Sequence, residues 1–219
     1  MNEFEKQWQR KLLNALQKIG REELYAELKE EIADESSNVW TKKLMQTLME
    51  KLSEVELKEV MRGCACHAGK DNLVAIRDEY ALNQDLKKAH EMYRQVFLDF
   101  IREYKNLNDE EMQYLIDNDI GSAGILRDNI ITVTKIPKEF SRYLKSNDPV
   151  EKRYLYCHCP RVREFLKTET KPLPQEYCYC GAGFFQDIWE FITQKPVQVK
   201  VLKSLLNGAD RCMIEITID

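Results

Sequence analysis

The carboxyl end of the chain has the clearest hydrophobic pattern. Apolar residues alternate with polar ones over residues 197–201 and again over residues 212–218, and the segment Asn-Gly-Ala-Asp lies between the two runs. A period of two places every second side chain on the same face of a strand. The pattern therefore predicts a β-hairpin, and the fold must accommodate a sheet at this end.

The amino-terminal half has a different period, because its apolar residues recur at intervals of three and four. This spacing is typical of amphipathic helices. Ser53 and Glu56 have the spacing of a capping box and predict a short helix that ends near Gly63, followed by a loop that contains cysteines. The other predicted helices cover residues 4–19, 21–33, 37–51, 83–104 and 109–117, the last of them after Asn108.

The pattern changes near Gly121. A β-branched run over residues 130–133 predicts a strand, and residues 154–156 predict a second, short one. A last helix is expected over 181–194. The predicted fold class is α+β, with a helical region over residues 1–120 and an α+β cysteine-rich region over 121–219, in which helices pack on a small antiparallel sheet. An open alternative is one continuous hydrophobic core that runs through both regions.

Charge and hydropathy exclude several classes of protein. The 219 residues include 33 basic and 37 acidic side chains, a net charge of −4, which disfavours a nucleic-acid binder. No run approaches the roughly 20 apolar residues that span a bilayer. The first twenty residues lack the apolar core of a signal peptide. We therefore expect a cytoplasmic protein that binds neither nucleic acid nor membrane.

Six of the seven cysteines form three Cys-x-Cys pairs. Two thiolates one residue apart in a loop reach a common ion, and a reducing cytosol favours metal ligation over disulfides. The second and third pairs are separated by 18 residues, close to the spacing of ligand pairs in zinc ribbons. The sequence predicts a Zn²⁺ site formed by Cys157, Cys159, Cys178 and Cys180.

The same cysteines allow other interpretations. They are inert core residues in one, a redox dithiol in another, and ligands of an iron–sulfur cluster in a third. Cys64, Cys66 and His67 are candidate catalytic residues. Three arrangements are open: they join the predicted zinc site, they form a second site, or they form a catalytic centre that faces the zinc site. A metal with three protein ligands and an open position activates water for hydrolysis.

A basic segment surrounds the second cysteine pair. From Lys135 to Lys171 the net charge is +5, which favours attraction of a small anionic ligand toward the cysteine loops, although a solvated surface explains it equally well. His90 is interpreted as a core or surface histidine. The candidate residues for a ligand pocket are His158, Arg153, Arg161, Phe184, Trp189 and Cys212.

Residues 178–218, CYCGAGFFQDIWEFITQKPVQVKVLKSLLNGADRCMIEITI, resemble the closing segment of the four-vinyl-reductase domain. The shared order is a cysteine-bearing loop, a glycine, a helix and a hairpin. In the family the second strand of the hairpin opens with a Gly-Asp-x-x-Cys element, which in this chain reads Gly208-Ala209-Asp210-Arg211-Cys212. The chain is also similar to bacterial thiazoline-carboxylate hydrolase-like proteins. The matching positions are Cys178 or Cys180, Gly183 and Cys212.

This resemblance implies an α+β fold related to heme-nitric-oxide-binding and transport-particle domains, which are often dimeric and bind small ligands. It also suggests metal-binding cysteines. Ser204 stands where the relatives often have a cysteine, which leaves Cys157 and Cys159 as substitutes.

Three functions follow from these observations as hypotheses. The first is a zinc-like, cysteine-ligated metal-binding protein with a pocket for a small molecule, acting as a sensor or binding module. The second is a hydrolase of a small cyclic amide or thiazoline carboxylate that uses a thiolate or metal-bound water. The third is a thiol redox protein. The apolar stripes permit burial within one chain or across a homodimer.

Overall fold

The computed structural model describes residues 3–32, 37–169 and 172–219. Seven α-helices of these described residues precede the first strand. They are α1 (Glu3–Lys18), α2 (Glu23–Ile32), α3 (Ser37–Lys51), α4 (Glu54–Gly63), α5 (Val74–Asn83), α6 (Leu86–Tyr104) and α7 (Asp109–Asp117).

The remaining described residues form a sheet interrupted by helices. All strand pairs in the sheet are antiparallel, and the strand order is β1-β2-β4-β3. The elements are β1 (Gly121–Arg127), β2 (Ile130–Thr134), α8 (Phe140–Lys145), α9 (Pro149–Tyr156), α10 (Pro160–Arg163), α11 (Tyr179–Thr193), β3 (Val197–Lys203) and β4 (Met213–Ile218).

One large hydrophobic core joins the two regions. It includes Trp8 and Leu44 from the amino-terminal helices, Val133 and Ile216 from the sheet, and Trp189 of α11. Helix α11 packs against β3 on one side and against α4 and α5 on others. A smaller core lies between α6, α7 and α8. The start of β1 at Gly121 coincides with the predicted boundary, and the main core extends across it.

The α+β fold class is confirmed, as is the hairpin of β3 and β4. Val199 pairs with Ile216 and Val201 pairs with Ile214 across it. Both predicted helix starts are also observed. The Ser53 and Asn108 side chains accept hydrogen bonds from the N–H groups of Glu56 and Glu111, and each glutamate side chain accepts one in return.

The predicted strand over residues 154–156 is wrong, because these residues end helix α9. Asp148 caps that helix by accepting a hydrogen bond from the Val150 N–H group, and Pro149 occupies its first turn. These two helix-starting signals outweigh the local strand preference of Tyr-Leu-Tyr.

Other elements also differ from the prediction, and helices α8 and α10 were not predicted. Helix α5 lies within the stretch expected to be a loop. Strand β1 was not predicted, because its register shifts between Gly121 and Ile125 and its burial alternates only over its first four residues. Helix α11 begins at Tyr179, so that Cys180 lies in its first turn rather than before it.

His90 is a core residue of α6. Its Nε2–H group donates to the Ala123 carbonyl oxygen at 3.0 Å, and its ring stacks on Trp189 with centroids 6.2 Å apart. Burial lowers the pKa of His90 below its ordinary value. The folded protein therefore holds this imidazole neutral.

We expect this burial to make stability depend on pH. Unfolded His90 takes up a proton as the pH falls below about 6.5, whereas the folded residue does so only at lower pH, so the free energy of unfolding decreases in that window. His90→Gln keeps a hydrogen-bond donor, in the form of a side-chain amide, and removes the group that titrates in this pH range. Urea unfolding at pH 7.5 and 5.5 should show a smaller loss of stability in this variant than in the parent. An equal loss in both proteins would contradict the assignment.

Candidate functional site

Lys135, the residue after β2, lies at the centre of the candidate site. Its backbone N–H group donates to the Cys212 carbonyl oxygen at 3.0 Å. Tyr156 connects the same two residues, because its hydroxyl donates to the Lys135 carbonyl oxygen at 2.6 Å and accepts from the Cys212 N–H group at 3.1 Å. The ammonium reaches the first turn of α11, since a Cβ atom on Gly181 would lie 3.2 Å from Lys135 Nζ. Lys135 therefore bridges the sheet and this helix.

Four cysteines lie close enough to the Lys135 ammonium to interact with it electrostatically. Burial by itself opposes the charge, but the negative charge that these sulfur atoms carry as thiolates raises the pKa of Lys135 above its ordinary value. They come from the end of α9, the start of α11 and the residue before β4. The four are Cys157, Cys178, Cys180 and Cys212.

The other three cysteines extend this group. The Cys159 sulfur lies 3.8 Å from the Tyr177 hydroxyl, and Cys180 interacts electrostatically with both Cys159 and Cys66. The Cys180 thiol also donates to the Cys64 carbonyl oxygen at 3.4 Å. All seven thiols are free and form one connected set of neighbours, which we call the cysteine cluster. The structure thus brings the first Cys-x-Cys pair next to the other two.

Burial keeps most of the cluster protonated. It raises the pKa of the Cys157 and Cys180 thiols to about 12, with neighbouring thiols adding to the effect. The pKa values of Cys64, Cys178 and Cys212 are raised by burial as well. A thiol with a raised pKa is a poor nucleophile at neutral pH. These five residues are therefore better suited to a role other than nucleophilic attack.

The cluster is not arranged as a finished metal site. Within residues 3–32, 37–169 and 172–219, no three His, Cys, Asp or Glu side chains form a group that could hold an ion. The Cys178 sulfur instead lies 3.0 Å from the Ser204 hydroxyl. Ser204 is the position where the resemblance expected a cysteine, and its fully buried hydroxyl faces the cluster.

The two histidines beside the cysteine pairs point elsewhere. His158 donates through Nε2 to the Ile136 carbonyl oxygen at 2.7 Å, and desolvation together with nearby Lys135 lowers its pKa to about 4. Exposed His67 has its Nδ1 atom 3.4 Å from the Asp187 carboxylate, which also accepts from Lys70 at 2.8 Å. Asp187 was not predicted from the sequence, because it follows His67 by 120 positions in the chain.

The candidate pocket residues make mainly internal contacts. Arg161 is buried, pairs with Glu5 and lies 3.7 Å from the Trp8 ring centroid. Arg153 donates to the carbonyl oxygens of Glu169 and Leu205. Trp189 is fully buried, and half-buried Phe184 packs edge-on against Phe185.

Two of the cavities formed by the described residues are lined by other side chains. One, of about 20 Å³, lies between α6, α7 and β1, and the other, of about 390 Å³, lies on the outer face of α6. Neither is lined by a cysteine. The small-molecule pocket therefore stays a prediction.

Comparison with known proteins relates part of the chain to one family. A family described as "Family of unknown function (DUF6144)" matches residues 134–219. The matched stretch contains Lys135 and five cysteines, whereas Cys64 and Cys66 precede it. No curated protein and no solved structure matches the chain. The resemblance to four-vinyl-reductase and thiazoline-carboxylate hydrolase-like proteins stays a prediction.

No helix in the described part of the chain is both long and apolar enough to cross a bilayer.

We expect the seven thiols to react with an alkylating reagent in a defined order. Cys66 is exposed, whereas Cys64 is fully buried and has a raised pKa, so Cys66 should react at least about tenfold faster. Timed iodoacetamide labelling of native, metal-free protein followed by mass spectrometry of the peptides measures both rates. Equal rates at the two positions would contradict the burial described here.

Proposed function

We propose that the chain is a metal-binding protein whose cysteine cluster holds one thiolate-ligated ion, most suitably Zn²⁺. The observation that carries the proposal is the position of Lys135 among four cysteines. A zinc ion bound by four thiolates has a net double negative charge. An adjacent ammonium stabilises such a complex, and no described carboxylate is paired with Lys135.

The four cysteines around Lys135 are the proposed ligands: Cys157, Cys178, Cys180 and Cys212. This set differs at one position from the set predicted from spacing, because Cys212 shares the Lys135 neighbourhood and Cys159 faces the Tyr177 hydroxyl. The four sulfur atoms must turn toward one point to bind. A cysteine does so by rotation about its Cα–Cβ bond, and all four lie at or beside element ends.

Zinc affinity tests the proposed ligands one at a time. Cys157→Ser, Cys178→Ser, Cys180→Ser and Cys212→Ser should each lower the affinity by about a hundredfold or more, because a serine hydroxyl is a much weaker zinc ligand than a thiolate. Cys159→Ser should lower it less than Cys212→Ser. The measurement is competition with a chromophoric chelator, supported by elemental analysis of protein purified without added metal.

Cys66→Ser is the matched control, since it removes a thiol of the same cluster that lies at the surface. It should bind one equivalent of zinc with nearly the parent affinity. If the parent protein binds no zinc in the titration, the metal-binding proposal is wrong. The redox hypothesis then gains support only if the thiols are lost in pairs on mild oxidation and recovered by a dithiol.

Lys135 provides an independent test of the charge argument. Lys135→Met should weaken zinc binding by about tenfold or more, since a hydrogen bond to a charged group contributes about 1.5–3 kcal/mol and 1.4 kcal/mol corresponds to tenfold. Lys135→Arg keeps the charge and should retain most of the affinity. The melting temperature of metal-free Lys135→Met should not fall, because the variant removes a partly buried charge. Equal zinc affinity in Met and Arg variants would refute the charge argument.

The hydrolase hypothesis has one local feature in its favour, the His67–Asp187 contact beside exposed Cys66. A carboxylate that orients a histidine is a common part of hydrolytic sites. However, no described hydrogen bond joins His67 to the Cys66 sulfur. We therefore place the metal-binding function first.

A further inference from the structure

Helix α6 carries a repeated pair of an acidic and an aromatic residue on its outer face. Asp99 precedes Phe100 and Glu103 precedes Tyr104, so the second pair follows the first by four residues, about one helical turn. The two rings are neighbours, with centroids 5.0 Å apart and planes tilted by 31°. Phe100 is 46% exposed and Tyr104 is 66% exposed. This part of α6 therefore presents two large rings to solvent, each preceded by a carboxylate.

Both pairs line the cavity of about 390 Å³ on the outer face of α6, which we call the α6 groove. Its volume lies within the range of about 300–1,000 Å³ that is usual for ligand sites. The complete lining is Asn72, Val96, Asp99, Phe100, Glu103 and Tyr104. The groove thus combines an apolar lining, made by a valine and two rings, with two carboxylates and an amide.

The carboxylates of the α6 groove have hydrogen-bonding capacity to spare. Within the described ranges, Glu103 makes no hydrogen bond or ion pair. Asp99 uses only its Oδ1 atom, which accepts from Gln95 at 2.7 Å and from Arg102 at 3.4 Å. An incoming donor can therefore reach one whole carboxylate and half of another.

Elsewhere in the chain, the same combination of groups holds an arginine. The Arg163 guanidinium carbon lies 4.2 Å from the centroid of the Tyr154 ring, and the guanidinium pairs with the Glu139 carboxylate. Arg161 is held in the same way by an aromatic ring and a carboxylate. A planar guanidinium suits such a site because it stacks on a ring and donates to carboxylates at the same time. The α6 groove has the ring and the carboxylates, and no cation of the described residues lies over its rings.

The surroundings of the α6 groove are acidic. Residues 71–119, which include α5, α6 and α7, contain twelve acidic and six basic side chains. This charge repels the phosphates of nucleic acids and lipids. A second copy of the chain docked through the same face would bring two acidic surfaces together, which opposes association. The occupant that complements the groove is therefore a cationic and partly apolar segment of another protein.

We propose that the α6 groove is a docking site for a segment of a partner protein, and that an arginine of this segment anchors it. The guanidinium stacks on Tyr104 and donates to the carboxylates of Asp99 and Glu103. Apolar side chains beside the arginine pack on Val96 and Phe100. This role is separate from the proposed metal-binding function and does not depend on it, because no cysteine lines the groove.

Titration with a short peptide tests the proposal directly. Isotope-labelled protein is titrated with acetyl-Gly-Leu-Arg-Leu-Gly-amide and its backbone amides are followed by NMR. We expect saturable shifts centred on the residues of the α6 groove, with a dissociation constant in the millimolar range. The same peptide with citrulline, which keeps the shape of arginine without its charge, should bind at least about tenfold more weakly. Salt should weaken binding of the arginine peptide, since the pairing is at the surface.

Variants of α6 separate the contribution of charge from that of the ring. Glu103→Gln should lower the affinity for the arginine peptide by about fivefold or more, because it replaces a charged acceptor by a neutral one. Glu91→Gln is the matched control, since Glu91 is an exposed glutamate of the same helix that does not line the groove. Tyr104→Leu should weaken binding by a similar factor, whereas Tyr104→Phe keeps the ring and should retain most of the affinity.

Three results would overturn the docking role. The first is an absence of saturable shifts at the groove in the parent protein. The second is equal affinity for the arginine and citrulline peptides, or an equal effect of Glu103→Gln and Glu91→Gln. The third is a dimer of the parent protein in sedimentation velocity that Tyr104→Leu abolishes, because the groove would then be occupied by a second copy of the chain. Melting temperatures of the variants, measured in parallel, should equal that of the parent, since both substituted side chains are exposed.

Discussion

The burial of helix α11 between the sheet and the amino-terminal helices is the interaction on which the structure depends. Trp189, Ile188 and Ile192 are almost completely buried, and each such side chain contributes about 1.5–3 kcal/mol relative to exposure. Because α11 contacts β3 as well as α4 and α5, it fixes the helical region relative to the sheet. The segments that carry the cysteines are thereby brought to one end of this helix.

The amino-terminal part of α11 can serve as a meeting point because Gly181 and Gly183 have no side chains. Gly181 allows the Lys135 ammonium to approach, and Gly183 allows the backbone at Arg62 and the side chain of Ala65 to approach. A side chain at position 183 would push the backbone of α4 away from α11, whereas one at position 181 would meet only the flexible end of Lys135. The same packing that completes the core therefore determines which thiols become neighbours.

Sequence patterns predicted the parts of the fold that are set by local chemistry. The alternation over residues 197–201 identified the hairpin, and the Ser53 and Asn108 caps identified two helix starts, because these signals act within a few residues. Strand β1 was not predictable in this way, since it contains Gly124 at a positive φ of 63° and a shifted register. Its pairing with β2 decides its conformation.

The candidate site was predicted only in part for the same reason. The cysteine pairs stand out in the sequence, but the contact between Cys180 and the Cys64 carbonyl oxygen joins residues 116 positions apart. Lys135 gave no signal beyond its place in a basic segment. Its role depends on cysteines from α9, α11 and the residue before β4, which only the packed structure brings together.

Among the partly or fully buried cations of residues 135–171, Lys135 differs from Arg161 and Arg163 in the kind of group that it faces. Arg161 pairs with Glu5 and Arg163 pairs with Glu139, so each of these partly or fully buried cations faces a carboxylate. Lys135 faces thiols instead.

Neutral thiols offset the desolvation of an ammonium poorly, whereas thiolates offset it well. Burial keeps the free thiols protonated, and a bound metal ion makes them thiolates at neutral pH. Under the proposed metal-binding function, a metal–thiolate complex would supply the negative charge that no described carboxylate provides beside Lys135.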